Sequence, residues 1–287
     1  MSRIAYVNGR YVPYREAAVH IDDRGYQFSD GVYEVVGVAN GVIFDEEPHW
    51  DRLNRSLKEL SIAWPMSRAA FRLVVREVLR RNRVRNGIVY VQVNRGIAPR
   101  DHPFPKNAVP TLVITSRRSG PAGVAAQAKG VSVITVPDIR WRRCDIKTIG
   151  LLPNVLARQK AREAGAFEAW MVSPEGLVTE GAATNAWIVT KKGELVTRNT
   201  DTSILWGITR GSVAAVARKS GVKLTERPFS VKEAKAAREC FITSTTSFVT
   251  PVVEIDGAKV GNGKPGPLTR KLQDWYRSYL ARQGTAA

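Results

Sequence analysis

The sequence predicts an α+β fold with mixed and antiparallel sheets and covering helices. Two Asn-Gly pairs, Asn8-Gly9 and Asn40-Gly41, stand between β-prone residues, and this dipeptide is the strongest short-range indication of a β-hairpin. Strand and helix patterns occur in separate blocks, whereas a doubly wound fold alternates them strictly. The 287 residues are 44% hydrophobic and 24% charged, which excludes disordered and collagen-like classes.

The N-terminal part is predicted to begin as antiparallel sheet and to continue into helices. One helix is expected around residues 50–60, and a second after Ser67, where apolar residues recur at helical spacing. Strands at 88–93 and 111–115 complete this layer. Residues 1–118 are therefore predicted to form a small N-terminal α+β domain.

A run of small and helix-breaking residues without strong periodicity follows this part of the chain. Such composition is typical of a connection between domains, so we predict an interdomain linker at 119–130 and a larger C-terminal domain at 131–287. Within that domain the patterns predict strands at 131–136, 167–172, 185–189 and 241–243, and helices at 154–164, near 209–219 and at 268–281.

The net charge of +18 is the one unusual bulk property. It is compatible with binding to nucleic acid, with anionic substrates, or with a generally basic proteome. The densest basic cluster falls late in a helical pattern and is interpreted as a solvated face: Arg76, Arg80, Arg81, Arg83 and Arg85.

Cysteine content and hydropathy predict a cytoplasmic protein. Cys144 and Cys240 are the two cysteines, without CxxC spacing, and the first twenty residues carry charges without an apolar run. No window approaches the roughly 20 apolar residues that a membrane helix needs. His20, His49 and His102 are far apart in the sequence, so no metal site is predicted.

Polar residues in four later segments point to chemistry. Lys147 is followed by mostly apolar residues, and a lysine in an apolar pocket can serve as the amine nucleophile of a Schiff-base enzyme. Glu180 lies in a stretch of small residues between two predicted strands. The segment ending at Arg210 starts a helix whose free N–H groups can hold a phosphate, and 243–247 is a run of five hydroxyl residues.

Together these segments resemble the aminotransferase class IV family of pyridoxal-phosphate enzymes, and within it the bacterial D-amino-acid aminotransferases. The resemblance covers nearly the whole chain. It is most specific at residues 23–36, 95–102, 138–147, 179–181, 207–210 and 243–247.

The resemblance implies a two-domain class IV aminotransferase-like fold with a cofactor cleft between the domains, the larger C-terminal one binding cofactor. It implies that Lys147 is catalytic and holds pyridoxal 5'-phosphate as a Schiff base, that Glu180 pairs with the pyridine nitrogen, and that Arg52 binds the phosphate. Further phosphate contacts are implied for Ile208, Thr209, Ser244 and Thr245.

Substrate recognition follows from the same resemblance. Tyr33, Arg100 and His102 are expected to bind the α-carboxylate, with the Arg100 and His102 loop supplied by the other subunit of a homodimer. The implied activity is ping-pong transamination between D-alanine-like D-amino acids and 2-oxo acids such as 2-oxoglutarate.

Three alternatives remain open. A branched-chain L-amino-acid aminotransferase and an aminodeoxychorismate lyase share the fold and the lysine, and a basic nucleic-acid-binding protein is a remote alternative that rests on the net charge alone. Gly37, Ala183 and Trp206 depart from the residues expected of the D-specific enzymes, which leaves the preferred substrate undetermined.

Overall fold

The computed structural model describes residues 3–118 and 122–285, and the chain divides into two compact units. Unit 1 comprises Met1–Gly120 and Ile146–Gly150, and unit 2 comprises Pro121–Asp145 and Leu151–Ala287. The segment that carries Lys147 is thus part of unit 1, whereas the sequence had placed it in the C-terminal domain.

Backbone contacts explain why Ile146–Gly150 belongs to unit 1. Tyr33 N donates to Lys147 O at 2.9 Å, and Ile149 N donates to Gly31 O at 3.2 Å. The Ile146 side chain is buried within the apolar core of this unit. These long-range contacts have no local sequence pattern, so periodicity could not reveal them.

Unit 1 contains an antiparallel sheet with helices packed against it. Over its described residues the sheet has six strands in the order β2-β1-β6-β5-β3-β4, and every pair is antiparallel. The elements are β1 Ile4–Val7, β2 Arg10–Pro13, a 3-10 turn Tyr14–Glu16, α1 Arg24–Phe28, β3 Gly31–Ala39, β4 Val42–Ile43, α2 Glu46–Glu59, α3 Arg68–Asn82, β5 Gly87–Asn94 and β6 Thr111–Arg118.

Local chemistry accounts for several of these boundaries. Both Asn-Gly pairs turn hairpins as predicted, between β1 and β2 and between β3 and β4, with positive φ at Asn8, Gly9, Asn40 and Gly41. This is the conformation that a tight type I′ turn requires. Ser67 caps α3 by accepting a hydrogen bond from Ala70 N at 3.3 Å.

Unit 2 is built on a mixed sheet. Its described residues contribute nine strands, ordered β12-β11-β10-β13-β14-β7-β8-β9 with β15 beside β14, and β7 is parallel to both β8 and β14. The elements are α4 Ala122–Lys129, β7 Val131–Pro137, α5 Leu152–Glu163, β8 Glu168–Val172, β9 Val178–Gly181, β10 Asn185–Val189, β11 Leu195–Thr197, α6 Ile208–Lys219, β12 Leu224–Glu226, α7 Val231–Lys235, β13 Glu239–Ser244, β14 Phe248–Ile255, β15 Ala258–Lys259 and α8 Pro267–Thr285.

The predicted linker contains a helix. Most of the 119–130 segment forms α4, which packs beside β14 in unit 2, while 119–121 lies outside the described residues. The tertiary contact with β14 supports a helix that has no apolar stripe of its own. Among the helices of residues 3–118 and 122–285, none combines the length and the hydropathy of a membrane-spanning segment.

Candidate functional site

Lys147 and Tyr33 lie side by side in unit 1. The Lys147 Nζ is 4.2 Å from the centroid of the Tyr33 ring, and the Lys147 backbone N donates to Ser56 Oγ at 3.3 Å. The lysine side chain is half-buried and its backbone is fixed by β3. The structure thereby brings two predicted site residues together and holds an amine against an aromatic face.

A second tyrosine supports Tyr33. The rings of Tyr33 and Tyr90 stack with centroids 5.6 Å apart, and the Tyr90 hydroxyl donates to Gln92 Oε1 at 2.8 Å. Burial, together with the neighbouring Tyr33 hydroxyl, raises the pKa of Tyr90 to about 12. Tyr90 therefore stays protonated near neutral pH and forms an uncharged wall behind Tyr33.

Arg52 is held by a buried carboxylate that the sequence analysis did not single out. Its Nε and Nη2 donate to Glu34 Oε2 at 2.9 Å and to Glu34 Oε1 at 2.6 Å, and His49 Nδ1 lies 3.0 Å from the same Oε1. All three side chains are buried. This bidentate pairing fixes the orientation of the guanidinium.

Electrostatics keep the Glu34 carboxylate charged. Burial alone would raise its pKa, but Arg52 and His49 hold the pKa of Glu34 well below its ordinary value. Burial also lowers the pKa of His49. A sequence signal existed in hindsight, because Glu34 is an acidic residue on a strand of otherwise mostly apolar, buried side chains.

Arg100 and His102 lie on an exposed loop between β5 and β6, and both lie beside one aromatic ring. The Arg100 guanidinium carbon is 4.7 Å from the Phe28 ring centroid, and the His102 ring centroid is 5.4 Å from it. The two residues predicted to bind a carboxylate are therefore neighbours in space as well as in sequence.

Glu180 lies within strand β9, not in a connection between strands as the small neighbouring residues had suggested. Its carboxylate accepts hydrogen bonds from Asn185 Nδ2 at 3.0 Å and from Leu205 N at 3.0 Å. Only 4% of Glu180 is exposed. These contacts fix both carboxylate oxygens inside unit 2.

Arg140 is a functional candidate that sequence reasoning missed. Its Nη1 donates to Glu180, while Nε and Nη2 bind the two oxygens of Asp138 at 2.9 and 2.7 Å. Burial alone would lower the pKa of Arg140, but the two carboxylates raise it above its ordinary value. The Asp-x-Arg spacing within the 138–147 segment was the available signal.

The start of α6 offers backbone donors to an anion. The helix begins at Ile208, as predicted, and Gly207 occupies the N-cap without a capping side chain from the described residues. A Cβ at Gly207 would lie 2.0 Å from Asn185 Oδ1, so the close approach requires glycine. Thr209 in the first turn is buried. First-turn N–H groups of this kind favour phosphate.

The hydroxyl run 243–247 leaves β13 in a turn beside β10. Ser244 Oγ lies 2.6 Å from Ser247 Oγ and accepts from Ser247 N at 3.1 Å. Thr243 pairs across the sheet with Asn185, and Thr245 is half-buried in the turn. Hydroxyl groups of this turn add further donors suited to an anion.

Asn185 connects the three features of unit 2. It donates to Glu180, packs against Gly207 and pairs with Thr243. The donor set fits a phosphate ester, because it combines hydroxyls with backbone N–H groups at a helix start. The buried Glu180 carboxylate fits a protonated ring nitrogen. The residues present thus suit a phosphorylated, nitrogen-containing aromatic ligand.

The three departures noted in the sequence lie in ordinary contacts. Gly37 pairs with Ile88 in the unit 1 sheet, and Ala183 N donates to Glu168 Oε2 at 3.3 Å. Trp206 Nε1 donates to Asp201 O at 3.2 Å. These contacts involve neither Lys147 nor Glu180.

Acidic side chains partly neutralise the predicted basic cluster. Arg80 and Arg81 pair with Glu77 at 2.6 and 2.7 Å, and Arg76 pairs with Glu46 at 3.1 Å. These arginines belong to helix α3 and its exposed surface, as expected for a solvated face. Their pairing reduces the positive field that a nucleic acid would meet there.

A family model and curated relatives both match this chain to aminotransferases. The model of the amino-transferase class IV family matches residues 31–255. D-alanine aminotransferase of Bacillus licheniformis is 43% identical over 267 residues, which cover 93% of each chain. D-alanine aminotransferase of Staphylococcus haemolyticus is 38% identical over 275 residues, covering 96% of this chain and 97% of that one.

Solved structures agree on the fold. The branched-chain aminotransferase of the thermophilic archaeon Thermoproteus uzoniensis, solved with norvaline, superposes with a TM-score of 0.86 at 28% identity, covering 99% of this chain and 96% of that chain. The α+β fold with mixed and antiparallel sheets and covering helices, expected from the sequence, is confirmed.

Proposed function

Because the chain belongs to the class IV aminotransferase family, we propose that it transfers the amino group of D-alanine-like D-amino acids to 2-oxo acids such as 2-oxoglutarate, with pyridoxal 5'-phosphate as cofactor. The observation that carries the proposal is the near full-length similarity to D-alanine aminotransferases. The proposed scheme is ping-pong, with the amino group stored on the enzyme between two half-reactions.

Lys147 is proposed as the catalytic amine. When bound, pyridoxal phosphate supplies an aldehyde carbon and an electron-withdrawing ring. Lys147 would hold that group through its amine and would move a proton to and from the substrate Cα. Support comes from its half-buried position beside Tyr33 and from the backbone contacts that hold its segment.

Unit 2 supplies the other proposed cofactor contacts. Glu180 would keep the ring nitrogen protonated, a role that its fixed, buried carboxylate suits. Ile208, Thr209, Ser244 and Thr245 would hold the phosphate through N–H and hydroxyl groups. Arg52 is proposed as a further phosphate ligand, because a guanidinium can pair with phosphate through two N–H donors.

Tyr33, Arg100 and His102 are proposed to bind the α-carboxylate. Arg100 and His102, on one loop, provide paired N–H donors from which a carboxylate can accept hydrogen bonds. Fixing the carboxylate decides which face of Cα presents its hydrogen to Lys147, and exchanging the carboxylate and side-chain positions would select the other enantiomer.

The first test is the visible spectrum of the cofactor-loaded protein. Excess D-alanine, and separately L-leucine, is added without any 2-oxo acid. Loss of the visible absorption band of the bound cofactor with D-alanine, but not with L-leucine, supports the proposal. Loss with L-leucine alone favours a branched-chain aminotransferase, whose fold this chain shares, and no change with either amino acid after added pyridoxal phosphate overturns the proposal.

Replacing Lys147 by alanine tests the catalytic amine. The Lys147→Ala variant is expected to lose turnover while unit 1 stays folded, because its segment is held largely by backbone contacts. Steady-state rates and a thermal melt check this outcome. Wild-type turnover in a folded Lys147→Ala variant would exclude the assignment.

We propose that the protein acts as a homodimer in which the loop with Arg100 and His102 serves the partner's site. Lys147→Ala and Arg100→Ala proteins are unfolded and refolded together, so that mixed dimers form. Recovery of the wild-type KM for D-alanine in the mixture, with Lys147→Ala inactive alone and Arg100→Ala showing only a raised KM, supports the shared site. A mixture no more active than its components contradicts it.

A cytoplasmic location is also proposed. Cys144 and Cys240 are buried, unpaired thiols, and burial raises the pKa of Cys144 to about 12. Reducing compartments maintain such thiols. Fractionation of the source cells, followed by activity assays on each fraction, tests this location.

A further inference from the structure

Arg24, outside the residues proposed to touch substrate, contacts the loop that carries two of them. Its side chain lies in α1 and is only 3% exposed. The guanidinium Nη1 donates to Asp101 O, and Nη2 donates to His102 O at 3.1 Å. One buried cation therefore holds two consecutive backbone carbonyls of an exposed loop.

The third nitrogen of Arg24 is held by a shared carboxylate. Its Nε donates to Asp30 Oδ2 at 2.8 Å, and Arg95 binds both Asp30 oxygens at 2.7 and 2.9 Å. Arg95 is itself buried, at 4% exposure. The trio carries two positive charges and one negative charge, so its excess positive charge is directed at backbone carbonyls, including those of the loop.

Phe28 extends this arrangement to the loop side chains. The Arg24 guanidinium carbon lies 4.7 Å from the Phe28 ring centroid, and that of Arg100 also lies 4.7 Å from it. His102 approaches the same ring. A guanidinium is attracted to an aromatic face, so Phe28 provides a common support for both predicted carboxylate ligands.

We propose that Arg24 is a positioning residue for substrate recognition: it fixes the backbone at Asp101 and His102 and, with Phe28, orients Arg100 and His102 to receive the α-carboxylate of a D-amino acid or 2-oxo acid. This inference rests on the proposed function. An exposed loop without regular structure costs conformational entropy to order, and the buried guanidinium orders it before substrate binds.

The test variant is Arg24→Lys, which keeps the charge and loses the planar fork. A lysine ammonium cannot span Asp30 and two carbonyls with the geometry of a guanidinium. We expect the KM for D-alanine to rise about 10-fold, with kcat reduced less than about 3-fold, because the lost interaction orients substrate-binding groups. Cofactor absorbance and its retention on dialysis are expected to stay unchanged.

Arg270→Lys is the matched control. Arg270 also donates to two consecutive carbonyls, Gln127 O at 3.2 Å and Ala128 O at 2.5 Å, but α4 carries no proposed site residue. The KM of this variant for D-alanine should equal that of the wild type. An equal KM increase in both variants would show that loss of any such arginine raises the KM, and it would overturn the proposal.

A double-mutant cycle separates positioning from stability. In an Arg100→Ala background, Arg24→Lys should raise the KM less than about 2-fold, since its effect passes through Arg100 and His102. The proposal is overturned if Arg24→Lys raises the KM by the same factor in the wild type and in the Arg100→Ala background. It is also overturned by an unchanged KM in a folded Arg24→Lys variant.

Phe28→Leu decides the matter if Arg24→Lys does not fold. This change removes the aromatic support and is expected to raise the KM for D-alanine about 3-fold or more, because a cation–π contact is lost. An unchanged KM in folded Phe28→Leu overturns the proposal. Failure of the proposed function itself is distinct, since the wild type would then show no spectral response to D-alanine.

Discussion

Two buried carboxylates, Glu34 in unit 1 and Glu180 in unit 2, illustrate two uses of the same chemistry. Both accept hydrogen bonds from an arginine, and both are almost fully buried. Glu34 is bound edge-on by Arg52 and also contacts His49. Glu180 instead shares Arg140 with Asp138 and accepts one amide and one backbone N–H.

The two sites differ in the charged groups that would stay buried without a partner if the carboxylate were removed. Glu34 is the negative centre between a guanidinium and an imidazole, so its charge stabilises a buried basic cluster. Arg140 keeps Asp138 if Glu180 loses its charge. We infer that Glu34 stabilises the fold and orients Arg52, whereas Glu180 is suited to act on a bound ligand.

The largest expected effect comes from Glu34→Gln. Glutamine keeps the size of the side chain but removes the charge that faces Arg52 and His49, and breaking a buried ion pair costs about 3–5 kcal/mol. Chemical denaturation measures the free energy of unfolding. Glu233→Gln is the control, because Glu233 pairs with Arg227 at the surface, where a pair contributes about 1 kcal/mol or less. Equal losses of unfolding free energy in Glu34→Gln and Glu233→Gln would contradict a larger role for the buried pair.

Glu180→Gln is expected to act mainly on turnover. A neutral amide cannot hold a proton on a ring nitrogen, so we expect kcat to fall about 100-fold, or about 2.7 kcal/mol of transition-state stabilisation. Its loss of folding stability should be smaller than that of Glu34→Gln, because Asp138 remains beside Arg140. Single-turnover rates and melts together test this; full turnover would contradict the role of Glu180.

Lowering the pH should reduce the contribution of Glu34 to the stability of the folded protein. The folded protein holds the pKa of Glu34 below its ordinary value of 4.5. Its stabilising effect is therefore complete above pH 4.5 and is lost as the pH falls toward the folded value. The difference in Tm between wild type and Glu34→Gln should shrink below pH 4.5. A difference that stays constant down to pH 3 would contradict this account.

The smallest effect is expected for Thr209→Val. Removing one hydroxyl from the start of α6 should weaken retention of pyridoxal phosphate about 5-fold, because one hydrogen bond contributes about 1 kcal/mol. Fluorescence titration of the cofactor measures this. Thr225→Val is the control, since the Thr225 hydroxyl bonds Glu194 at 2.6 Å and has no proposed ligand contact.

Local chemistry in the sequence determined much of the fold. The Asn-Gly turns, the Ser67 cap, and the helix start after Gly207 depend on neighbouring residues and were predicted directly. The positions of β7, β8, β10 and β13 also followed from their apolar pattern. Helix α4 was missed because its sequence has no apolar stripe, and β14 supplies its support.

The candidate site shows the same division. The sequence predicted Lys147, Glu180 and the hydroxyl run as site residues, since their residue types and order resemble those of a known family. It did not identify Arg140, Glu34 or Arg24 as partners.

Only the tertiary structure decided which charged groups pair. Glu34 and Arg52 are 18 residues apart, Arg140 and Glu180 are 40 apart, and Arg24 and Asp101 are 77 apart. Turns and helix starts arise from steric and hydrogen-bonding preferences within a few residues. Burial and ion pairing depend on distances in space, which the chain sets only when its sheets have formed.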